Sequence, residues 1–140
     1  MGYCVPMILK LLTPIAFLAA QFLITWYGHF MGKAPAKGIL LGMQYDSAII
    51  SLLIVQLKFL WVPILINVLF GMGFQWGNET YRNFLIVISL WIAMGPIAAM
   101  LFNTAVVKES IDWPIILGLI LVTCGAVCIV AHKDIAALLN

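Results

Sequence analysis

The side chain with the most chemical consequence in this sequence is a lysine where a lysine is expensive. The segment LLIVQLKFLWVPILINVLF, residues 52–70, would pass for an ordinary membrane-spanning stretch but for Lys58. If one helix began at Ala48, Lys58 would lie ~15 Å along it at 1.5 Å per residue. That is half the ~30 Å hydrocarbon thickness of a bilayer. A lysine at that depth costs about 2.5–3.5 kcal/mol on insertion scales. No Asp or Glu lies inside any apolar stretch to pair with it, and Asp46 falls ~18 Å back along the helix axis, at its mouth. Three arrangements accommodate such a residue: loss of the proton on burial, a wet cavity, or an anion from outside the chain, such as a substrate or lipid phosphate or carboxylate. A fourth is a helix that tilts or breaks at Pro63 and lets the ammonium reach water.

Other polar side chains share these stretches. On one continuous helix, Gln56, Pro63 and Asn67 fall on a common face at 100° per residue, with Lys58 nearly opposite. Polar groups inside a membrane usually meet other helices, so that helix is expected to be enclosed by protein, cavity or a second subunit. Gln56 and Asn67 suit interhelical hydrogen bonding as well as substrate contact. Gln21, in AFLAAQFLITWYGH, is the strongly polar residue deep in the first stretch, and serves equally as glue or ligand. Gly95-Pro96 releases a backbone carbonyl and can act as a hinge or shape packing. Gly118 and Gly125, seven apart, share a face that permits close helix approach, which suits a dimer seam.

These residues sit in a chain of 140, of which 65% are hydrophobic and 9% charged, with a mean hydropathy of +1.16. Soluble domains carry about 25% charged residues, so the composition is that of an integral membrane protein. Four stretches are long enough to cross a bilayer as helices, approximately 7–27, 48–74, 84–102 and 113–131. The expected fold is therefore all-α: one four-helix transmembrane domain over residues 1–140. The first stretch runs past the usual signal-peptide core without a convincing cleavage site, so it is expected to be retained. Loops are expected at GKAPAKG (32–38), GFQWGNET (73–80) and KESIDWP (108–114), where Asp112 can cap the next helix and Pro114 suits its first turn. HKDIAALLN (132–140) can continue as a short interfacial helix. Trp26, Tyr27, Trp76, Tyr81 and Trp113 fall near stretch ends as an aromatic belt would, and Trp61 does not. Lys10, Arg82 and Lys133 oppose Lys33, Lys37 and Lys108 across the membrane, a balance that assigns no orientation.

No catalytic set is present. There are no paired carboxylates, no Ser/His/Asp arrangement and no phosphate-cradling glycine loop, and His29 and His132 lie near stretch ends. Cys4, Cys124 and Cys128 form neither a disulfide framework nor a metal signature. A net charge of +2, spread along the chain, does not suit nucleic acid. Neither enzyme activity nor a cofactor or metal is expected.

The last two stretches resemble the small multidrug resistance branch of the drug/metabolite transporter superfamily. GLILVTCGAV (118–127) is similar to that family's dimerisation segment, and SIDWP before it to the acidic-x-Pro start of the same helix. WIAMG (91–95) resembles the family's Trp-x-Gly-x-Gly element: Trp91 and Gly95 match, Ala93 replaces the middle glycine, and Ile88 stands where a tyrosine is expected. Gln21 takes the place of the family's membrane glutamate, and an amide cannot titrate. Ala19-Ala20-Gln21 is similar instead to the paired four-helix subunits thought to flip undecaprenyl-phosphate aminoarabinose. WYGH (26–29) resembles a further four-helix group of the superfamily with no assigned function.

The resemblance implies a bacterial inner-membrane transporter working by alternating access, as a homodimer or with a paired four-helix subunit, among membrane lipids. Its cargo would be a small-molecule anion or a lipid-linked, phosphate-bearing substrate. Lys58 would hold the charge, Gln21 and Trp91 the polar head, with Gln56 and Asn67 near by, and Gly95-Pro96 would flex. Two alternatives stand beside it: an exporter of small cationic or neutral compounds, with Asp46 as its ion site, and a non-transporting accessory subunit of a membrane complex.

Overall fold

Proline decides the architecture of the second apolar stretch. Pro63 has no N–H to give the carbonyl of Phe59, and its ring would clash with that carbonyl in a continuous helix. In the computed structural model, which describes residues 4–40, 42–132 and 135–136, the helix accordingly stops and restarts. Helix α2 (Ala48–Lys58) ends with the Phe59 N–H on the Val55 carbonyl at 3.0 Å. Val62 N–H then turns back to the Phe59 carbonyl at 2.9 Å, and α3 (Trp61–Tyr81) begins at a bend of 64°. Pro63 thereby falls in the first turn of α3, where a missing donor costs nothing.

The expected continuous helix over 48–74 is thus two helices. The stretch 73–80, expected as a loop, is helical to Tyr81, because its residues pack rather than turn: Gly73 and Gly77 are buried against α1 (Cys4–Gly32). The real connection is two residues long. Arg82 adopts left-handed backbone (φ 51°), and Asn83 accepts a hydrogen bond from the Leu85 N–H at 3.0 Å to cap α4 (Phe84–Phe102). After α4, Asn103–Val107 widen into a π turn closed by Lys108 N–H on the Asn103 carbonyl at 2.6 Å. Helix α5 (Trp113–Val130) follows, with Pro114 in its first turn as expected. Asp112 stands at its cap through its main-chain carbonyl, its side chain making no cap bond. Residues 84–102 and 113–130 match the expected third and fourth helices closely, and the first runs five residues further than expected, to Gly32. His132, Ile135 and Ala136 are helical, and the rest of 133–140 lies outside the described residues.

One element was not expected at all. Lys37–Leu40 (β1) and Met43–Asp46 (β2) pair antiparallel as a hairpin, with Gly42 at φ 82° in its two-residue turn. Gly38 leaves room for the Tyr45 ring that lies across it, and Lys37 Nζ meets Asp46 Oδ2 at 2.7 Å at the open end. That pair is exposed, so it is worth at most about 1 kcal/mol.

Helix α1 is the spine. Thr13, Ala16, Phe17 and Ala20 are buried between α3 and α4. Thr13 and Gly77 meet Val87 at one end, Phe17 meets Gly73 in the middle, and Phe22 meets Phe102 further on, so α1 runs parallel to α4 and antiparallel to α3. Helix α5 packs on α4 and buries none of its residues fully. The fold is mostly helical, and three helices are long and apolar enough to cross a membrane: 7–32, the run 84–107 and 113–130. A fourth crossing is counted only if α2 and α3 are taken as one bent span.

A Cβ on Gly73 would stand 2.6 Å from the Phe17 ring, and one on Gly77 2.8 Å from Val87, both fully buried neighbours, whereas Gly71 has open space. Gly73→Ala and Gly77→Ala are therefore expected to destabilise the fold by about 1–3 kcal/mol through overpacking. Gly71→Ala should gain up to about 1 kcal/mol of helix propensity. Thermal melts of the three variants in one detergent check this.

Candidate functional site

Two groups of the residues singled out above are treated differently by the fold. Gln21, Trp91 and Gly95 come together. Trp91 and Gly95 stand one turn apart on α4, as Phe17 and Gln21 do on α1, and the two rows face each other. A Cβ on Gly95 would lie 3.7 Å from the Gln21 amide, an ordinary van der Waals contact, so the glutamine lies against this point of α4. Trp91 packs on Phe70 and Phe74 of α3 at 5.9 and 6.0 Å, and Phe17 meets the same two rings at 6.4 and 5.1 Å. The result is an aromatic seam where α1, α3 and α4 converge.

The seam is not polar-satisfied. Trp91 Nε1 is buried without an acceptor, and the half-buried Gln21 amide makes no hydrogen bond to another described residue. Tyr27 Oη and Thr80 Oγ1 are likewise buried and unpartnered. A buried donor left without a partner costs about 1–3 kcal/mol, so these atoms mark where a polar ligand group or water would be welcome. Pro96 sits inside α4 without ending it. It lines an apolar groove of about 520 Å³ between α4 and α5, with Met100, Leu101, Leu119 and Ile120. Thr104 and Thr123 also line the groove, but their hydroxyls donate to their own helix at the Met100 and Leu119 carbonyls. Gly118 and Gly125 face open space, with nothing within 4 Å of an added Cβ.

Lys58, Gln56 and Asn67 are exposed and take no part in the seam. The break removes the face that Gln56, Pro63 and Asn67 would share on a continuous helix. It also puts Lys58 at the end of a helix rather than within one. Phe59 sits against Phe30 at 4.9 Å and Trp26 at 6.2 Å, at the C-terminal end of α1, and His29 on the same turns meets Phe102 at the end of α4. Lys58 therefore stands at one end of the bundle, its Nζ 5.7 Å from the Phe59 ring. Among the described residues it has no carboxylate partner, the one ion pair being Lys37–Asp46. Asp46 is thus already engaged by a lysine. No group of His, Cys, Asp or Glu among the described residues could hold a metal.

Phe59, Trp26 and Phe30 carry structural weight that the sequence reading missed. The signal was Pro63, which fixes a break within the preceding four residues. The apolar helices place the chain among membrane proteins. Compared with models of known families, with characterised proteins and with solved structures, the sequence and fold match none.

Phe59 anchors α2 to the bundle, since α2 otherwise buries only Ser51. Phe59→Ala is expected to release α2, raising hydrogen exchange across residues 48–58 at least tenfold while α1 and α4 keep their protection. Equal protection in the variant would show that the aromatic contact does not hold the arm.

Proposed function

We propose that the protein is a small transporter of the bacterial inner membrane that moves an anionic or lipid-linked, phosphate-bearing cargo by alternating access in a dimer. The observation that carries this reading is the unpaired Lys58 at the junction of a broken helix. Helix N-termini favour anionic groups. The break sets the Lys58 ammonium beside the N-terminus of α3, which carries about half a positive charge. A lysine suits a phosphate as a compact point charge.

The other parts fit around it. Trp91 Nε1 and the Gln21 amide are free donors for a polar head, and the α4–α5 groove suits an apolar tail. Gly95-Pro96 supplies the flexible point in α4. Lys58 and the Gln21 seam lie apart within one chain, so a cavity lined by both needs a second protomer, seated on the open Gly118/Gly125 face. The resemblance to the four-helix drug/metabolite transporters supports the same architecture.

One other reading has an observation in its favour. Helices α2 and α5 have little buried surface, as would suit an accessory subunit whose partner covers them. A co-purifying membrane protein of fixed stoichiometry would support that reading instead. Export of cations draws no such support, because Asp46 is held by Lys37 at 2.7 Å.

Lys58→Met is expected to abolish transport in reconstituted vesicles without preventing insertion or dimerisation. It should also weaken binding of a phosphate-bearing lipid by on the order of tenfold to a hundredfold, the worth of one charge-assisted contact. Native mass spectrometry of wild type beside the variant reads the bound lipid directly, and normal transport by Lys58→Met removes the assignment.

A further inference from the structure

We infer that α2 does not cross the membrane: it lies across the headgroup–acyl boundary of one leaflet, so that α3 alone is the second span and Lys58 meets lipid phosphates. The argument starts from lengths. Helix α3 has 21 residues, about 31 Å at 1.5 Å each. That length equals the hydrocarbon thickness of ~30 Å, although α3 by itself is less apolar than the three helices counted above, its polar residues Gln75, Asn78 and Glu79 gathering toward its C-terminal end. Its two ends are pinned at opposite ends of α1. Phe59, just before it, packs on Trp26 and Phe30, while Tyr81 Oη, at its last residue, donates to the Lys10 carbonyl at 3.4 Å. Polar residues gather at both levels: Lys10, Glu79, Arg82 and Asn83 at one end, and Lys33, Lys58, Lys108 and Glu109 at the other. A slab placed between them leaves α2 outside its far face.

The bend fixes how α2 lies there. Its 11 residues make about 16 Å of helix. Inclined at 64° to α3, they descend only about 7 Å along the α3 axis, against the full 16 Å of a straight span. The α2 chain thus passes from the hairpin, with its exposed Lys37–Asp46 pair, to the bundle end without reaching the midplane.

The faces of α2 agree. Ile49, Leu53 and Leu57 form one row at four-residue spacing and are 70%, 54% and 73% exposed. The opposite side, with buried Ser51 and half-buried Ile54 and Val55, turns toward the protein. An outward apolar row on a helix at the membrane boundary buries itself 5–10 Å into the acyl edge. Lys58 ends the helix, and its long stem lets the ammonium reach a phosphate. Lys33, one turn past Phe30, lies at the same level. The occupant this surface fits is therefore the leaflet itself, with anionic headgroups on the two lysines. This placement does not depend on transport.

The test measures depth. Ile49→Cys, Leu53→Cys and Leu57→Cys, each in the full chain with the native cysteines replaced by serine, are spin-labelled in phosphatidylcholine vesicles containing phosphatidylglycerol. Collision rates with oxygen and with a water-soluble nickel chelate then give label depth. The expected result is three shallow labels, all within about 10 Å of the phosphates and differing by about 5 Å between the first and last. Stepwise deepening of about 12 Å over the same positions, bringing residue 57 close to the midplane, would overturn the inference in favour of a continuous span. Labels reached by the nickel chelate alone would overturn it too, since α2 would then stand in water.

Discussion

A single missing backbone donor, at Pro63, governs the arrangement of this chain. In hydrocarbon every backbone polar group must be satisfied internally. A helix that tried to run straight through residues 48–74 would leave the Phe59 carbonyl without its partner and in collision with the proline ring. Breaking at Phe59–Leu60 resolves both problems at the cost of two irregular residues. Everything downstream follows from where that break falls. It turns the Phe59 side chain onto α1, frees α3 to start a new register, and carries Lys58 to the end of a helix.

Register is the reason the restart matters for packing. Helix α3 reaches the spine through Val62, Ile66, Gly73 and Gly77, all buried, at spacings of four, seven and four. That pattern is a single stripe of an α-helix. The two glycines bring α3 close enough for the Phe17 ring and Val87 to fill the space a side chain would occupy. Close approach through small residues drives helix association where no hydrophobic force distinguishes protein from lipid. On α1 the matching residues are Thr13 and Ala20 beside Phe17, and the Thr13 hydroxyl is satisfied by the Leu9 carbonyl at 2.8 Å. The seam with Trp91 and Gln21 is thus built on a tightly fitted frame, although its own polar atoms are unpaired.

The long apolar helices were legible in the sequence because length and hydropathy are averages, insensitive to any one residue. The third and fourth fell within a residue of where composition put them. What failed was the treatment of polar and glycine-containing segments. GFQWGNET looks like a loop by composition, yet its glycines serve packing and the helix runs through it. The hairpin at 37–46 was hidden for the opposite reason: four-residue strands are too short to show alternation, and most of it lies between the loop expected at 32–38 and the stretch expected from 48. Lys58 falls near a midplane only if the helix runs straight through Pro63; with the break it ends α2, close to Phe59 and the C-terminal end of α1. Gln21 lies against Gly95, one turn from Trp91, because both rows fall on uninterrupted stretches of α1 and α4.

The unpaired atoms constrain what the protein can be. Trp91 Nε1, Tyr27 Oη and Thr80 Oγ1 are buried without partners, and the half-buried Gln21 amide makes no hydrogen bond to another described residue. In a low-dielectric interior each such group is unfavourable by a kcal/mol or more. A chain selected only to fill membrane would carry Phe and Leu at these positions, as it does at Phe17, Phe70 and Phe74 around them. Of these atoms the Trp91 donor is the one held inside the aromatic frame, between Phe70 and Phe74. Lys58 differs from them: it is exposed at the end of the bundle, without a carboxylate partner among the described residues. Lys58 and the seam lie apart within one chain, so a single head group does not reach both within a protomer. The two features are therefore separate in the fold: a buried indole donor inside the seam, which water or another polar group would satisfy, and an ammonium in reach of solvent at the end of the bundle.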